Sequence, residues 1–292
     1  DLVGASPLIS GLFHDEPTIA VMNAMGLELS AVGNHEFDRG ADELLRLARG
    51  GCATGASRFH LSCAAGEFRG ARFPFVAANV MAGDGAPLLA TGLVRDVDGV
   101  KIGIVGAVTR TTPAIVRPDG VRGLRFAAEA AALNAAAAAL RAQGAQAIVA
   151  VVHEGGNADG GINECANPRG AIFDIERELD AAIVAVVAGH THRAFNCRIG
   201  DRVVIQAASS GRLVAIIDME IDRTSGRALT ARTRARNEPV PNGGRGGGSG
   251  DRALQARFPA LTPDPAVAAI VDDYRARAAP LGARVVGRIA QT

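Results

Sequence analysis

Four of the six histidines in this sequence stand directly after apolar, β-branched segments. His35 lies in the motif GNHEFD at positions 33–38, His153 follows a second segment, and His190 and His192 follow a third. Imidazole combined with amide and carboxylate ligands suits Zn, Mn or Fe better than Ca or Mg, which prefer shells made only of oxygen. The residue types and their positions therefore indicate a transition-metal site.

Apolar β-branched runs alternate with helical patterns along the chain, which predicts an α/β fold with helices layered on sheets. Strands are expected at 27–32, 75–80, 101–108, 147–152 and 183–188, and a hairpin is expected at 202–221 with its turn near Ser210 and Gly211. Helices are expected at 16–25, 41–49, 127–142, 172–180 and 265–279. The segment 237–251, rich in glycine and proline, is expected to form a flexible surface loop.

The predicted sheet explains how residues far apart in sequence reach one site. Ligands of α/β proteins bind in the crevice outside the carboxyl ends of the strands. Asn34 and His35 follow the first expected strand, and the other three histidines follow strands 147–152 and 183–188. A lone histidine is more often a hydrogen-bonded core residue, but packing does not explain four of them at strand ends. Asp1 precedes a turn and would add a carboxylate able to bridge two cations; the alternative is a solvated terminus.

Composition limits the class of protein. The 31 basic and 30 acidic residues nearly cancel, and the basic ones are scattered, which argues against a surface that binds nucleic acid. No run approaches the roughly 18 to 20 uninterrupted apolar residues that a membrane-spanning helix needs. The chain starts at Asp1 rather than at a methionine, so an upstream segment is expected to have been removed or left out.

The four cysteines form no Cys-x-x-Cys pair, so a structural zinc site is not expected. The favoured disulfides are Cys52 with Cys63 and Cys165 with Cys197, because both pairs lie in polar, glycine-containing loop sequence. The alternative is four reduced, partly buried thiols. If the disulfides form, the protein belongs to an oxidising compartment outside the cytosol.

The motif at 33–38, the GHTH sequence at 189–192 and His153 within 152–156 together resemble the calcineurin-like metallophosphoesterases. The flanking sequence, including AANV at 77–80, is similar to their 5'-nucleotidase branch. This resemblance covers almost the whole chain. It implies a four-layer α-β-β-α sandwich of two mixed sheets flanked by helices, lacking the family's first strand.

The resemblance also implies a division into domains and a location. Residues 1–262 would form the metallophosphoesterase domain, including the flexible loop 237–251. Residues 263–292 would form a linker helix and the start of a C-terminal substrate-binding domain that this sequence lacks. Bacterial members of the 5'-nucleotidase branch are exported, which implies a periplasmic, extracellular or cell-wall location.

The resemblance implies two divalent metal ions, Zn, Mn or Fe, with Ca or Mg as replacements in vitro. The implied metal ligands are Asn34, His153 and His190 for one ion, His192 for the other, and Asp1 as the bridge. The family's first strand supplies two further ligands through an Asp-x-His motif, which this sequence lacks. The chain is therefore expected to hold one metal better than two, and to be an incomplete catalyst by itself.

His35 matches the family's catalytic histidine, with Asp38 as its partner. A histidine kept protonated by a carboxylate stabilises a departing oxygen and the charge that develops on it. The expected reaction is hydrolysis of nucleotide phosphate monoesters by a metal-activated hydroxide that attacks phosphorus. The alternatives are a 2',3'-cyclic-nucleotide phosphodiesterase, a UDP-sugar hydrolase, and an inactive metal-binding module. A small nucleotide is expected as substrate, not a nucleic acid, and the sequence does not define the oligomeric state.

Overall fold

The computed structural model describes residues 1–55, 61–241, 261–285 and 287. These described residues form seven α-helices: α1 (Leu8–Gly11), α2 (Glu16–Met25), α3 (Ala41–Arg49), α4 (Thr112–Ile115), α5 (Glu129–Ala142), α6 (Ala171–Glu178) and α7 (Pro265–Gly282). Within the same ranges, no helix combines the length and apolar content needed to cross a bilayer.

The strands of the first half of the chain are β1 (Ser30–Ala31), β2 (Phe75–Val76), β3 (Val80–Met81), β4 (Gly92–Val97), β5 (Val100–Val108), β6 (Arg125–Phe126) and β7 (Ala147–His153). Those of the second half are β8 (Asn157–Asp159), β9 (Ala166–Arg169), β10 (Ile183–Ala188), β11 (Ala194–Ile199), β12 (Arg202–Ala207), β13 (Leu213–Asp218), β14 (Ile221–Asp222), β15 (Arg227–Ala228) and β16 (Arg234–Pro239).

The centre of the fold is a six-stranded mixed sheet in the order β11-β12-β10-β7-β5-β4. Strands β5, β7, β10 and β12 run parallel, and the two edge strands β4 and β11 run antiparallel to their neighbours. Because the inner strands are parallel, their carboxyl ends meet at one edge of the sheet. The segments that follow β7 and β10 therefore leave the sheet side by side.

Both faces of this sheet are covered, which explains why its inner strands are apolar on both sides. One face packs against α5 and α6 through a core that includes Leu133, Ile148 and Ile172. The other face packs against the pair β13–β16 and the pair β1–β2. Behind β1–β2, Ile19 of α2 and Leu44 of α3 are buried in one cluster with strand residues.

The order of layers is therefore helix, sheet, sheet, helix, and the predicted α/β sandwich is confirmed. The second β layer differs from the expectation of one mixed sheet. Among the described residues, it consists of separate two-stranded pairs, β1–β2 and β13–β16. The β1–β2 pair comes close to the central sheet where β5 has Gly106, since a Cβ there would lie 2.6 Å from Val76.

The predicted hairpin within 202–221 is wrong. β12 pairs with β10 and β11, whereas β13 pairs with β16 in the other β layer. A turn does occur at Ser210 and Gly211, both of which have positive φ. This turn redirects the chain to the other layer instead of folding it back onto β12, because β10 and β11 already occupy both edges of that strand.

Other boundaries differ from expectation as well; the strand predicted at 27–32, for example, is only Ser30–Ala31. The predicted strand at 75–80 is divided into β2 and β3, because the side chain of Asn79 replaces ladder bonds: its Nδ2 donates to the carbonyl of Val108 at 2.6 Å. The predicted loop at 237–251 begins too early, since Asn237–Pro239 belongs to β16. Residues 242–251 of that loop lie outside the described residues.

The helix assigned to a linker packs against the body of the domain. Asp264 caps α7 by accepting hydrogen bonds from the backbone N–H groups of Ala266 and Val267. Tyr274 of α7 is buried against Phe13, with ring centroids 5.1 Å apart. The division between domains at residue 262 stays a prediction, and residues 286 and 288–292 lie outside the described part.

Candidate metal centre

Glu36 joins the start of the chain to the loop after β1. Its carboxylate is almost fully buried and accepts hydrogen bonds from the backbone N–H groups of Leu2 at 2.6 Å, Val3 at 3.0 Å and Gly33. The nitrogen of Asp1 lies 3.0 Å from the same carboxylate. These contacts fix the position of Asp1 beside the loop that carries Asn34 and His35.

Burial alone would raise the pKa of Glu36, but the amino group of Asp1 and the backbone donors outweigh it, so the pKa lies below the ordinary value. Glu36 is therefore an ionised side chain inside the protein, which is tolerated only where several donors satisfy it. Sequence reasoning did not assign it a role. The signal was available, because Glu36 is the acidic residue of the specific GNHE sequence.

Gly33 is the point of closest approach between the two loops. A Cβ at this position would lie 2.7 Å from Cε1 of His153 and closer still to Asp1. Real Cβ atoms do not approach other atoms below 3.0 Å. Only glycine therefore allows Asp1 and His153 to lie on either side of the chain at this position.

Lone-pair atoms from four predicted ligands converge above Gly33. Nε2 of His153 lies 3.1 Å from Oδ2 of Asp1 and 3.1 Å from Oδ1 of Asn34. Ligand atoms of Asp1, His153 and His190 all lie within 4.8 Å of one another. One imidazole N–H can satisfy only part of such a set, whereas a cation would satisfy all of it. The donor set of two imidazoles, one amide and one carboxylate fits Zn, Mn or Fe.

His153 is in the protonation state that a metal ligand needs. Burial, supported by the amino group of Asp1, lowers the pKa of His153 to about 3, although Glu36 acts in the opposite direction. The ring is therefore neutral at pH 7. It stacks edge-on against His190, with ring centroids 5.1 Å apart and an interplanar angle of 67°.

His190 and His192 occupy one tight turn after β10, and both have positive φ, +68° and +57°. Only His190 contributes to the converging ligand atoms; His192 is exposed and lies outside the 4.8 Å group. The structure thus brings together four of the five predicted ligands. Sequence spacing cannot separate the two histidines, because their directions depend on a backbone conformation that is rare for residues other than glycine.

His35 and Asp38 form a pair at the edge of this cluster. Nδ1 of His35 lies 2.7 Å from Oδ2 of Asp38, and both side chains are about one-third exposed. The backbone N–H of His35 donates to Oδ1 of Asp1 at 3.0 Å. The backbone of His35 is therefore held by the same carboxylate that faces His153, while its ring is partly exposed to solvent.

The structure forms both favoured disulfides, Cys52–Cys63 and Cys165–Cys197, with Cα separations of 5.5 and 5.0 Å. Cys165 lies in the segment that follows His153, and Cys197 lies in β11, which follows the turn of His190 and His192. The second disulfide therefore ties together the two segments that carry the predicted histidine ligands. Two disulfides are typical of exported proteins.

No family model matches the sequence. The chain is 34% identical over 226 residues to Endonuclease YhcR of Bacillus subtilis, matching 77% of this chain and 18% of that protein. It is 33% identical over 237 residues to Cell wall protein Lmo0130 of Listeria monocytogenes, matching 77% of this chain and 30% of that protein. It is also 33% identical over 143 residues to the 5'-nucleotidase of Diplobatis ommata, matching 47% of this chain and 21% of that protein.

The chain therefore spans less than a third of the length of these relatives. Among solved structures, the calcineurin-like phosphoesterase YfkN from Bacillus subtilis has the same fold. It superposes with a TM-score of 0.68 at 20% identity, covering 95% of this chain and 78% of that chain.

Proposed function

Because the chain belongs to the calcineurin-like metallophosphoesterases, with 5'-nucleotidases among its relatives, we propose that it hydrolyses nucleotide phosphate monoesters at the metal centre beside His35. One observation carries this proposal. Imidazole, carboxylate and amide ligand atoms converge within a few ångströms, next to a histidine–aspartate pair that is partly exposed to solvent. A metal and a proton donor side by side are what phosphate ester hydrolysis requires.

Four residues would hold the first metal: Asp1, Asn34, His153 and His190. When bound, the divalent ion supplies Lewis acidity that activates water and neutralises charge on the phosphoryl oxygens. Asp1 would face a second ion with its remaining carboxylate oxygen, and His192 would be one ligand of that ion. Among the described residues, no third ligand joins His192, so the proposed stoichiometry is one tightly held metal and one weakly held metal.

His35 would act on the substrate itself. The carboxylate of Asp38, 2.7 Å away, orients the ring through Nδ1. This leaves Nε2 free to donate a proton or a hydrogen bond to the oxygen that leaves phosphorus. The partial exposure of both side chains allows a nucleotide to reach them.

Replacing His35 with Asn tests this role in the mechanism. We expect His35→Asn to retain wild-type metal content, because the side chain is not in the converging group, and to lose nearly all phosphatase activity. The same variant distinguishes an enzyme from the alternative of an inactive metal-binding module, because such a module would have no activity for the substitution of His35 to remove. Unchanged turnover would remove His35 from the mechanism.

The substrate class needs a direct comparison. Steady-state hydrolysis of AMP, 2',3'-cyclic AMP, UDP-glucose and a single-stranded oligodeoxynucleotide should be measured in Mn²⁺ and in Zn²⁺. The oligonucleotide belongs in this set because one relative is named an endonuclease. We expect AMP to be preferred, and we expect the oligonucleotide to be a poor substrate, since the 31 basic residues are nearly balanced by 30 acidic ones. Equal rates on all four would reject the nucleotidase assignment.

The two disulfides and the cell-wall relative indicate an exported protein. We propose a periplasmic, extracellular or cell-wall location, where nucleotides are degraded to nucleosides before uptake. Fractionation of cells that produce the protein, followed by phosphatase assay of each fraction, would test this. Activity confined to the cytosolic fraction would contradict the proposal.

A further inference from the structure

We propose that Gln206 and Thr191 are a positioning pair that sets how tightly the centre holds metal, by fixing the turn of His190 and His192. Neither residue contacts the converging ligand atoms, so the pair acts through the backbone of the turn. This inference rests on the proposed metal centre. It adds two residues whose contribution can be measured separately from that of the ligands.

The turn needs external support. His190 and His192 both have the left-handed conformation, with φ of +68° and +57°. Residues with a Cβ adopt this conformation rarely, and it persists only where the surrounding structure holds it. Two such residues separated by a single position would relax towards ordinary conformations in the absence of support, and the imidazoles would then point elsewhere.

Hydrogen bonds from Gln206 hold the turn on both sides of His192. Nε2 of Gln206 donates to Oγ1 of Thr191 at 2.9 Å and to the carbonyl of Arg193 at 2.8 Å. Both N–H groups of the amide are therefore used. Gln206 itself is fully buried, so its amide would be left without hydrogen-bond partners if these two bonds were lost.

Thr191 connects the same turn to the segment that follows His153. Its hydroxyl donates to the carbonyl of Gly156 at 2.7 Å while accepting from Gln206. The two segments touch directly at Gly155, where a Cβ would lie 2.8 Å from Oε1 of Gln206 and closer still to Thr191. A shift of the pair would therefore change the distance between His153 and His190, the two rings of the centre.

The position of Gln206 in the sheet supports a role beyond packing. It lies near the carboxyl end of β12, after the apolar residues Val203, Val204 and Ile205. An apolar residue there would fill the same space without a buried amide to satisfy. A second buried amide, Asn237, holds the backbone carbonyl of Gln206 at 3.0 Å, so the strand end is fixed from the other side.

Cobalt titration of the whole chain tests the pair, with Co²⁺ visible absorption as the readout of both affinity and ligand geometry. The variants are Gln206→Leu and Thr191→Val. Thr191→Ser keeps the hydroxyl and should restore the wild-type Kd. Val203→Ala is the matched control, because it truncates a buried residue of the same strand that does not touch the turn. Thermal unfolding of each metal-free variant reports changes in stability.

We expect Gln206→Leu and Thr191→Val each to raise the Co²⁺ Kd by about 10- to 100-fold, as removal of outer contacts to metal ligands does, and to alter the absorption spectrum. Thr191 is exposed, so Thr191→Val should fold normally and gives a decisive result even if Gln206→Leu does not fold. Wild-type Kd and spectrum in Thr191→Val would overturn the inference, as would an equal loss of affinity in Val203→Ala. Failure of the wild-type chain to bind Co²⁺ would instead overturn the metal centre itself.

Discussion

Replacing Glu36 with Gln should release the start of the chain from the metal centre. In the wild-type protein, one carboxylate oxygen accepts from Leu2 and Val3, and the other faces Gly33 and the nitrogen of Asp1. A glutamine keeps one accepting oxygen, but its NH₂ group would face two donors. Two hydrogen bonds to a charged acceptor are thus lost, at about 1.5–3 kcal/mol each.

The sum, roughly 3–6 kcal/mol, is an upper bound on the loss of unfolding free energy, because the segment can detach before the whole domain unfolds. Urea unfolding followed by circular dichroism would give the stability, and Co²⁺ titration would give the metal Kd. The stability should fall and the Co²⁺ Kd should rise, since detachment of Leu2 and Val3 also moves Asp1. The control is Glu67→Gln, whose side chain is 77% exposed and which should change stability by less than about 0.5 kcal/mol.

The pH dependence gives a second check on Glu36. Its pKa in the folded protein lies below the ordinary value of 4.5, so the ionised side chain stabilises the fold fully above that value. The stabilisation is lost as the pH falls through the folded-state pKa. The difference in stability between wild type and Glu36→Gln should therefore be largest near neutral pH and shrink in acid. A difference that is absent at pH 7, with unchanged Kd for Co²⁺, would refute the reasoning.

Three other substitutions probe different parts of the structure. Gly33→Ala should abolish tight Mn²⁺ binding in calorimetry, because the added Cβ would lie 2.7 Å from the imidazole of His153. The control is Gly11→Ala, which should bind Mn²⁺ normally because no atom lies nearer than 3.6 Å to the added Cβ. Arg202→Met should lower stability by about 3–5 kcal/mol in urea, because it leaves a buried carboxylate unpaired, yet leave the Mn²⁺ Kd unchanged. Replacing Cys165 and Cys197 together with serine should lower stability by about 2–4 kcal/mol and raise the Mn²⁺ Kd; unchanged values would show that this disulfide does not hold the centre.

The strands that position the proposed ligands could be predicted because their sequence pattern is strong and local. β7 is an apolar run that ends in His153, and β10 is an apolar run followed by Gly189 and His190. Parallel pairing then places His153 and His190 at one edge, whatever the details of the rest of the fold. The error at β12 and β13 has a physical cause as well. Both strands are apolar enough to pair, and their partners β10, β11 and β16 are decided by contacts distant in sequence.

The supporting residues were harder to foresee than the ligands. Glu36 and Gln206 are polar side chains in the interior, and sequence patterns favour polar residues on the surface. A glutamine directly after Val203, Val204 and Ile205 is nevertheless unusual in a buried strand. A polar residue that interrupts an apolar run near a strand end can therefore be used to predict a supporting role. No sequence pattern indicated the direction of the His192 side chain, since it depends on the left-handed backbone conformations of His190 and His192.

The distance in sequence between the ligands has a consequence for how the protein folds. Asn34 and His153 are 119 residues apart, and Asp1 and His190 come from still more distant parts of the chain. Closing such long loops costs chain entropy, so contacts of this kind form late relative to local helices. A growing or partly translocated chain therefore cannot assemble the centre. Metal would be acquired only after the domain has folded, and by binding only the folded state it would shift the folding equilibrium of the whole domain at once.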